Sequence, residues 1–153
     1  MDSLELKIPP PVVALLTGLL MWLASRLNAP VDVPFGLRVG VAVAIACAGA
    51  VIGVSAMVSF LRAKTTMNPI KADAASSLVA DGVFRFTRNP MYLSLLLYLS
   101  AWAVYLSNWL ALPFLPMFVL YINRFQIAPE ERVLSSLFGA QYVAYKGRVR
   151  RWL

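Results

Sequence analysis

Residues Asn89 to Asn123 run for 35 positions without a charged side chain, and Val39 to Leu61 for 23. Few folds accommodate such runs. A helix crossing the ~30 Å hydrocarbon layer of a bilayer needs about 20 apolar residues, so the shorter run is one span. At ~1.5 Å rise per residue, the longer run folds into two spans with a tight turn at Ser107-Asn108. Val12 to Ser25, between Pro9–Pro11 and Arg26, makes another span with part of each flank. The expected fold class is an all-α membrane protein with four transmembrane helices and a short amphipathic C-terminal cytosolic helix. The expected spans are about 9–27, 39–61, 90–106 and 109–124, in a single membrane-embedded domain covering 1–153. A cytosolic loop over 62–89 and a cytosolic segment over 125–153 complete it. Pro113 and Pro116 predict a kink or a late helix start in the last span.

Composition agrees. The chain is 60% hydrophobic and 14% charged, against about 45–50% and about 25% in soluble domains. It has no histidine and one cysteine, Cys47, so neither a disulfide framework nor a zinc pattern is available, and no metal site is expected. A net charge of +7 raises the question of nucleic acid. The cations flank apolar runs, however, and no DNA-binding motif spacing occurs, so no nucleic-acid partner is expected. The start, "MDSLELKIPPP", lacks a convincing cleavage site and is read as retained.

Arginine and lysine placement sets the expected sidedness. Twelve of the 14 fall at the N-terminus, between the second and third spans, or after the fourth; only Arg26 and Arg38 lie opposite. The positive-inside rule then places both termini in the cytosol, in an integral multi-pass membrane protein. Along the second span, Ala42, Ala46, Gly49 and Gly53 form a stripe of small residues. Such a stripe suits close packing within the bundle or a homodimer through Gly49–Gly53.

Three polar segments share the cytosolic side: the loop ending "ADGVFRFTRNPMY", then "APEERVLSSLFG", then "AQYVAYKGRVRRWL". Pro129 suits a first helical position, and Glu130-Glu131 suit the positive end of a helix dipole. Gly139 is placed to end that helix. Tyr142 and Tyr145 share a helical face, and the basic tail with Trp152 suits a membrane surface. In "TRNPMY", Pro90 opens the third span and Asn89 is a natural N-cap. Capping leaves Arg85, Arg88 and Tyr92 unexplained. Free N–H groups at a helix start favour anions and arginine adds donors for a carboxylate, so this mouth reads as a receptor for a small polar molecule.

The ordered pattern "LVADGVFRFTRNPMY", an apolar hairpin and "EERVLSSLFGAQYVAYKGRVRRWL" resembles the isoprenylcysteine carboxyl methyltransferase family and the related phospholipid N-methyltransferases. The resemblance spans roughly residues 65 to 153. It implies methyl transfer from S-adenosylmethionine to a hydrophobic or lipid-linked acceptor, an isoprenylcysteine-like carboxylate, a thiol or a lipid amine arriving laterally through membrane lipid. It further implies cofactor contacts from Arg88, Asn89, Pro90, Tyr92, Glu130 and Glu131, with Tyr142, Tyr145, Arg148 and Arg151 in a closing C-terminal segment. Several members of the family carry histidine at the position of Asn89, so a role needing an imidazole proton does not transfer. No catalytic residue is assigned. In-line transfer of an already activated methyl group needs alignment more than acid–base chemistry, which suits a chain without histidine. Aromatic rings can face a sulfonium through cation–π attraction. Two other readings use the same features: a non-catalytic bundle binding lipid or a membrane partner, and a relative of the NADPH-dependent membrane sterol reductases.

Overall fold

Proline marks where the helices begin. A computed structural model describes residues 5–63 and 77–153, and four of the five helices there start at or just after a proline, while the fifth continues the helix before it. The five are α1 (Pro10–Ser25), α2 (Phe35–Ala63), α3 (Pro90–Leu106), α4 (Phe114–Ile122) and α5 (Ala128–Arg148). The fixed φ of proline matches the first helical turn, and its missing N–H costs nothing there. No strand occurs among the described residues. Of the loop expected over 62–89, residues 64–76 lie outside the described residues.

The hub is α3, which packs on α1, α2 and α4. Against α2 the contact is close because glycine makes it so. A Cβ at Gly53 would sit 2.8 Å from Ser94 Oγ, and one at Gly49 would sit 3.2 Å from Leu97 Cβ. Ser94 Oγ also donates to the Gly49 carbonyl at 2.8 Å. The small-residue stripe is therefore occupied by α3 of the same chain. Against α1, Trp102 Nε1 donates to the Gly18 carbonyl at 3.0 Å. Val13, Met21, Leu99, Ala103, Phe118 and Ile122 fill the space between α1, α3 and α4.

The turn after α3 is pinned by its own polar side chains. Ser107 takes the left-handed conformation, φ 49°, and exchanges hydrogen bonds with Val31 through its carbonyl (2.6 Å) and its hydroxyl (3.0 Å). Asn108 Nδ2 donates to the carbonyls of Ser25 (3.2 Å) and Asn28 (3.1 Å), while Oδ1 accepts from Leu110 N–H. Every one of these partners is protein.

The C-terminal part differs from expectation. The fourth span and the C-terminal helix are one 40-residue helical run, Trp109–Arg148, with a short 3-10 turn at Trp109–Ala111 that delays α4 past Pro113. Continuity through Pro129 is made possible by a π-helical turn at Asn123–Ile127. Proline cannot donate to the carbonyl four residues before it. That carbonyl, Phe125, accepts instead from Leu6 N–H at 3.0 Å. Glu5 beside it is buried and ion-paired to Arg124 (2.8 Å) and Arg132 (2.6 Å), which ties the N-terminal segment across the π turn. The real break comes at Gly139, whose φ of 46° and ψ of −123° interrupt α5.

Two helical runs, Phe35–Ala63 and Trp109–Arg148, are long and apolar enough to cross a membrane; α1 and α3 have 16 and 17 residues. Their outward faces are apolar too: Leu15, Val51 and Leu120 are each about two-thirds or more exposed. In water such surface is unfavourable, whereas in lipid it is the natural exterior.

Candidate functional site

The break at Gly139 lets the end of α5 turn back, and the chain beyond it crosses the start of α3. Val149 is extended. Arg88 N–H donates to the Arg150 carbonyl at 3.0 Å, and Thr87 Oγ1 and Asn89 Nδ2 both reach the Arg151 carbonyl, at 3.3 and 2.8 Å. Arg88 Nη1 donates to the carbonyls of Lys146 (2.9 Å) and Val149 (2.7 Å). Asn89 occupies the N-cap position but makes no side-chain cap. Its amide holds the C-terminal strap instead, which corrects the capping role expected for it.

Under the strap lies a carboxylate knot. Glu131 accepts from Arg88 Nη2 at 2.8 Å and from Arg151 through Nη2 (2.6 Å) and Nε (3.1 Å), with Lys146 Nζ at 3.8 Å. Burial alone would raise this carboxyl, but hydrogen bonds from Arg151 and Arg88, with their charges, hold it below the usual carboxylate range. Arg151 is raised in turn, chiefly by its hydrogen bond to Glu131.

Glu130, one residue earlier, has a different setting. It faces α3, where Tyr92 Oη donates to its Oε1 at 2.5 Å. Burial pushes the Glu130 carboxyl up to about 7; the Tyr92 hydrogen bond opposes this and the neighbouring Glu131 charge adds to it. The helix-dipole reading of the two glutamates loses its basis, because the helical backbone is continuous from Phe114 through this point. No free helix N-terminus lies beneath them.

Glu130, Tyr92, Arg88 and Asn89 form the polar wall of a cavity of about 530 Å³. Its apolar wall includes Phe60 of α2, Phe84, Leu95 and Pro9–Pro11 of the N-terminal segment, with Gly53 and Ser94 at the close contact of α2 and α3. Small-molecule sites commonly have this make-up and a volume of roughly 300–1,000 Å³. Arg88 Nε is buried and has no hydrogen-bond partner among the described residues.

Of the sequence-predicted residues, Arg88, Asn89, Pro90, Tyr92 and Glu130 line the cavity. Glu131 and Arg151 stand behind it in the knot. Tyr142 and Tyr145 are buried, their ring centroids 6.2 Å apart. Burial raises both phenols, that of Tyr142 to about 12. Tyr145 Oη donates to the Phe84 carbonyl at 2.8 Å, which fixes the segment whose ring packs edge-on against Phe60 at 5.2 Å. Arg148 is exposed and joins none of these groups. Missed by sequence reasoning were Gly53, Phe60, Phe84 and Pro9–Pro11 as walls, and Glu5 as a clamp. Its partner Arg124 lies 119 residues away in the chain, so no local pattern could reveal it.

Among the described residues, an apolar helical bundle with a polar-walled cavity at one end and a C-terminal strap across the start of α3 is the architecture of a membrane protein. The family described as phospholipid methyltransferase matches residues 37–141, more than two-thirds of the chain, and the protein belongs to that family of membrane methyltransferases. The chain is 29% identical over 101 residues to Protein-S-isoprenylcysteine O-methyltransferase B of Arabidopsis thaliana, covering 66% of this chain and 51% of that protein. It thus spans about half the length of that relative. An uncharacterized protein of Haemophilus influenzae (strain ATCC 51907 / DSM 11121 / KW20 / Rd) is 57% identical over 63 residues, all of that protein and 41% of this chain. No solved structure matches.

Proposed function

We propose that the protein is a methyltransferase that takes its methyl group from S-adenosylmethionine and delivers it to a hydrophobic or lipid-linked acceptor. The observation that carries this reading is the cavity: one wall is polar and partly charged, the other apolar, and it opens among helices whose outer faces are apolar. An amphipathic pair of reactants needs such a space. When bound, S-adenosylmethionine supplies a methyl group already activated on a sulfonium. The residues present fit such a ligand. Glu130 is a half-buried carboxyl on the cavity wall, suited to an ammonium or ribose hydroxyl, and Tyr92 offers a ring to a cation. Arg88 Nε, buried and without a partner among the described residues, is a donor suited to a carboxylate.

Glu131 and Arg151 contribute by holding the strap and Arg88 in place. Tyr142 and Tyr145 back the same segment. The acceptor, a carboxylate, thiol or lipid amine, reaches the apolar wall from the bilayer. The family match and the Arabidopsis relative support methyl transfer; neither specifies the acceptor.

The same reading places four helices across the bilayer, α1, α2, α3 and the apolar part of the run beginning at Trp109, with both termini cytosolic. Supporting it, Arg62, Arg85, Arg88, Arg124 and Arg132 gather at the cavity end, while Arg26 and Arg38 lie toward the Ser107 turn. Reporter fusions at residues 1 and 153 test the sidedness, and a non-cytosolic signal from either refutes it.

Titration of the purified protein with S-adenosylmethionine and, separately, with NADPH tests the cofactor. Saturable heat with the first alone is expected. Heat with NADPH alone would favour a reductase, and heat with neither a non-catalytic bundle.

A further inference from the structure

A second cavity lies at the opposite end of α3, roughly 25 Å away at ~1.5 Å per residue, and methyl transfer gives it no task. Its volume is about 330 Å³, and its walls include Val41 of α2, Val104 of α3, Trp109 and Leu112. The lining is apolar apart from Arg38 and the Ser107-Asn108 turn, and the side chains of that turn are already hydrogen-bonded.

Arg38 is out of balance there. It sits in the first turn of α2, where no acidic residue accompanies it. A cation at the positive end of a helix dipole is unfavourable without an anion nearby. Asp32 is exposed and forms no ion pair with Arg38 among the described residues. The guanidinium lies 5.2 Å from the Phe35 ring centroid and 5.7 Å from that of Tyr105, and its Nε is buried without a hydrogen-bond partner among the described residues. By contrast, Arg26 at the same end is exposed and lies over Trp22. Trp109, on the cavity rim, is 66% exposed, as tryptophans at a membrane–water interface are.

We propose that this groove holds one anionic glycerophospholipid, with its phosphate on Arg38 and an acyl chain along Val41, Val104 and Leu112. A phosphate supplies the missing countercharge for both the guanidinium and the helix start. The apolar lining accounts for a lipid as its source, because inorganic phosphate would leave that surface uncovered. The site is separate from the Glu130 cavity, so it stands or falls independently of the methyl donor.

Native mass spectrometry of the full chain, released from detergent micelles, tests the site with dioleoyl phosphatidylglycerol as the probe. The wild type should retain one lipid molecule. Arg38→Gln should weaken its retention by roughly tenfold to hundredfold, the loss expected for a charge-assisted hydrogen bond. Arg26→Gln, which alters charge at the same end, should retain it as the wild type does. Val41→Trp keeps the charge and fills the groove, and it should also lose the lipid, so it decides the matter should Arg38→Gln fail to fold. Equal retention by the wild type and Val41→Trp would overturn the proposal. So would equal losses in Arg26→Gln and Arg38→Gln, or displacement of the lipid by millimolar inorganic phosphate.

Discussion

The knot around Glu131 and the cavity wall formed by Glu130 and Tyr92 begin at adjacent residues, yet they are opposite kinds of place. Glu131 is saturated: two arginines and a lysine converge on it, and its proton is easily lost. Among the described residues Glu130 has one hydrogen-bond partner, a phenol, and burial keeps its proton to about pH 7. A saturated carboxylate holds structure together but has little left for a ligand. An under-partnered carboxyl on a cavity wall costs stability and is available for binding. Helical geometry makes the division possible, since successive residues point about 100° apart, one toward the strap and the other toward α3.

Breaking the knot should have the largest effect. Glu131→Ala leaves Arg88 and Arg151 without their shared anion, and removing one partner of a buried ion pair costs about 3–5 kcal/mol. Thermal unfolding should drop accordingly, and limited proteolysis should cut within the C-terminal strap. A variant as stable as the wild type would mean that the knot holds nothing.

Gly139→Ala should come next. A Cβ there meets no atom within 4 Å, so the cost is backbone strain alone at φ 46°, about 1–3 kcal/mol. Unwinding that break would draw Tyr142, Tyr145 and Arg151 away from α3. Lower thermal stability together with weaker ligand binding is expected, and no change in either would show that the break is dispensable.

The two carboxyls should also separate by pH. Glu130 keeps its proton to about pH 7 in the fold but releases it near 4.5 when unfolded. Its contribution is therefore complete at the acid end of that window and fades as pH rises through about 7. Glu131 runs the other way: its contribution is present above 4.5 and fades only as pH falls below that value. Raising pH from about 5 to about 8 should lower the unfolding temperature of the wild type and affect Glu130→Gln less. Parallel curves for the two proteins would remove the distinction.

The smallest effect should come from Asn89→Asp. Its side chain donates to the Arg151 carbonyl, and an aspartate cannot, so about 0.5–1.5 kcal/mol should be lost. A cap would have tolerated the change. Unfolding measurements showing Asp as stable as Asn would restore the capping role.

Much of this arrangement was legible in the sequence. Long uncharged runs and their prolines located α2, α3 and the start of the final run, and residues of "RNPMY" and "PEER" meet at one cavity. Other features were not legible, for identifiable reasons. The π turn that carries the helix through Pro129 depends on Leu6 capturing the freed Phe125 carbonyl, a contact between distant segments. The C-terminal basic tail looked like a headgroup-binding surface because its charges are counted locally, whereas Arg151 is committed to Glu131. Asn89 looked like a cap because Asn-Pro usually is one, and only the strap lying against it changes the outcome.

Calorimetric titration of Glu130→Gln with S-adenosylmethionine, beside the wild type, tests the division most directly. Run above pH 7, where Glu130 is ionised, the comparison isolates the charge: glutamine keeps the shape and removes it, and the knot behind is untouched. The expected result is a roughly tenfold to hundredfold loss of affinity, the range for a charged hydrogen bond, in a protein that unfolds no earlier than the wild type. Unchanged affinity would contradict the assignment of this wall as the ligand site.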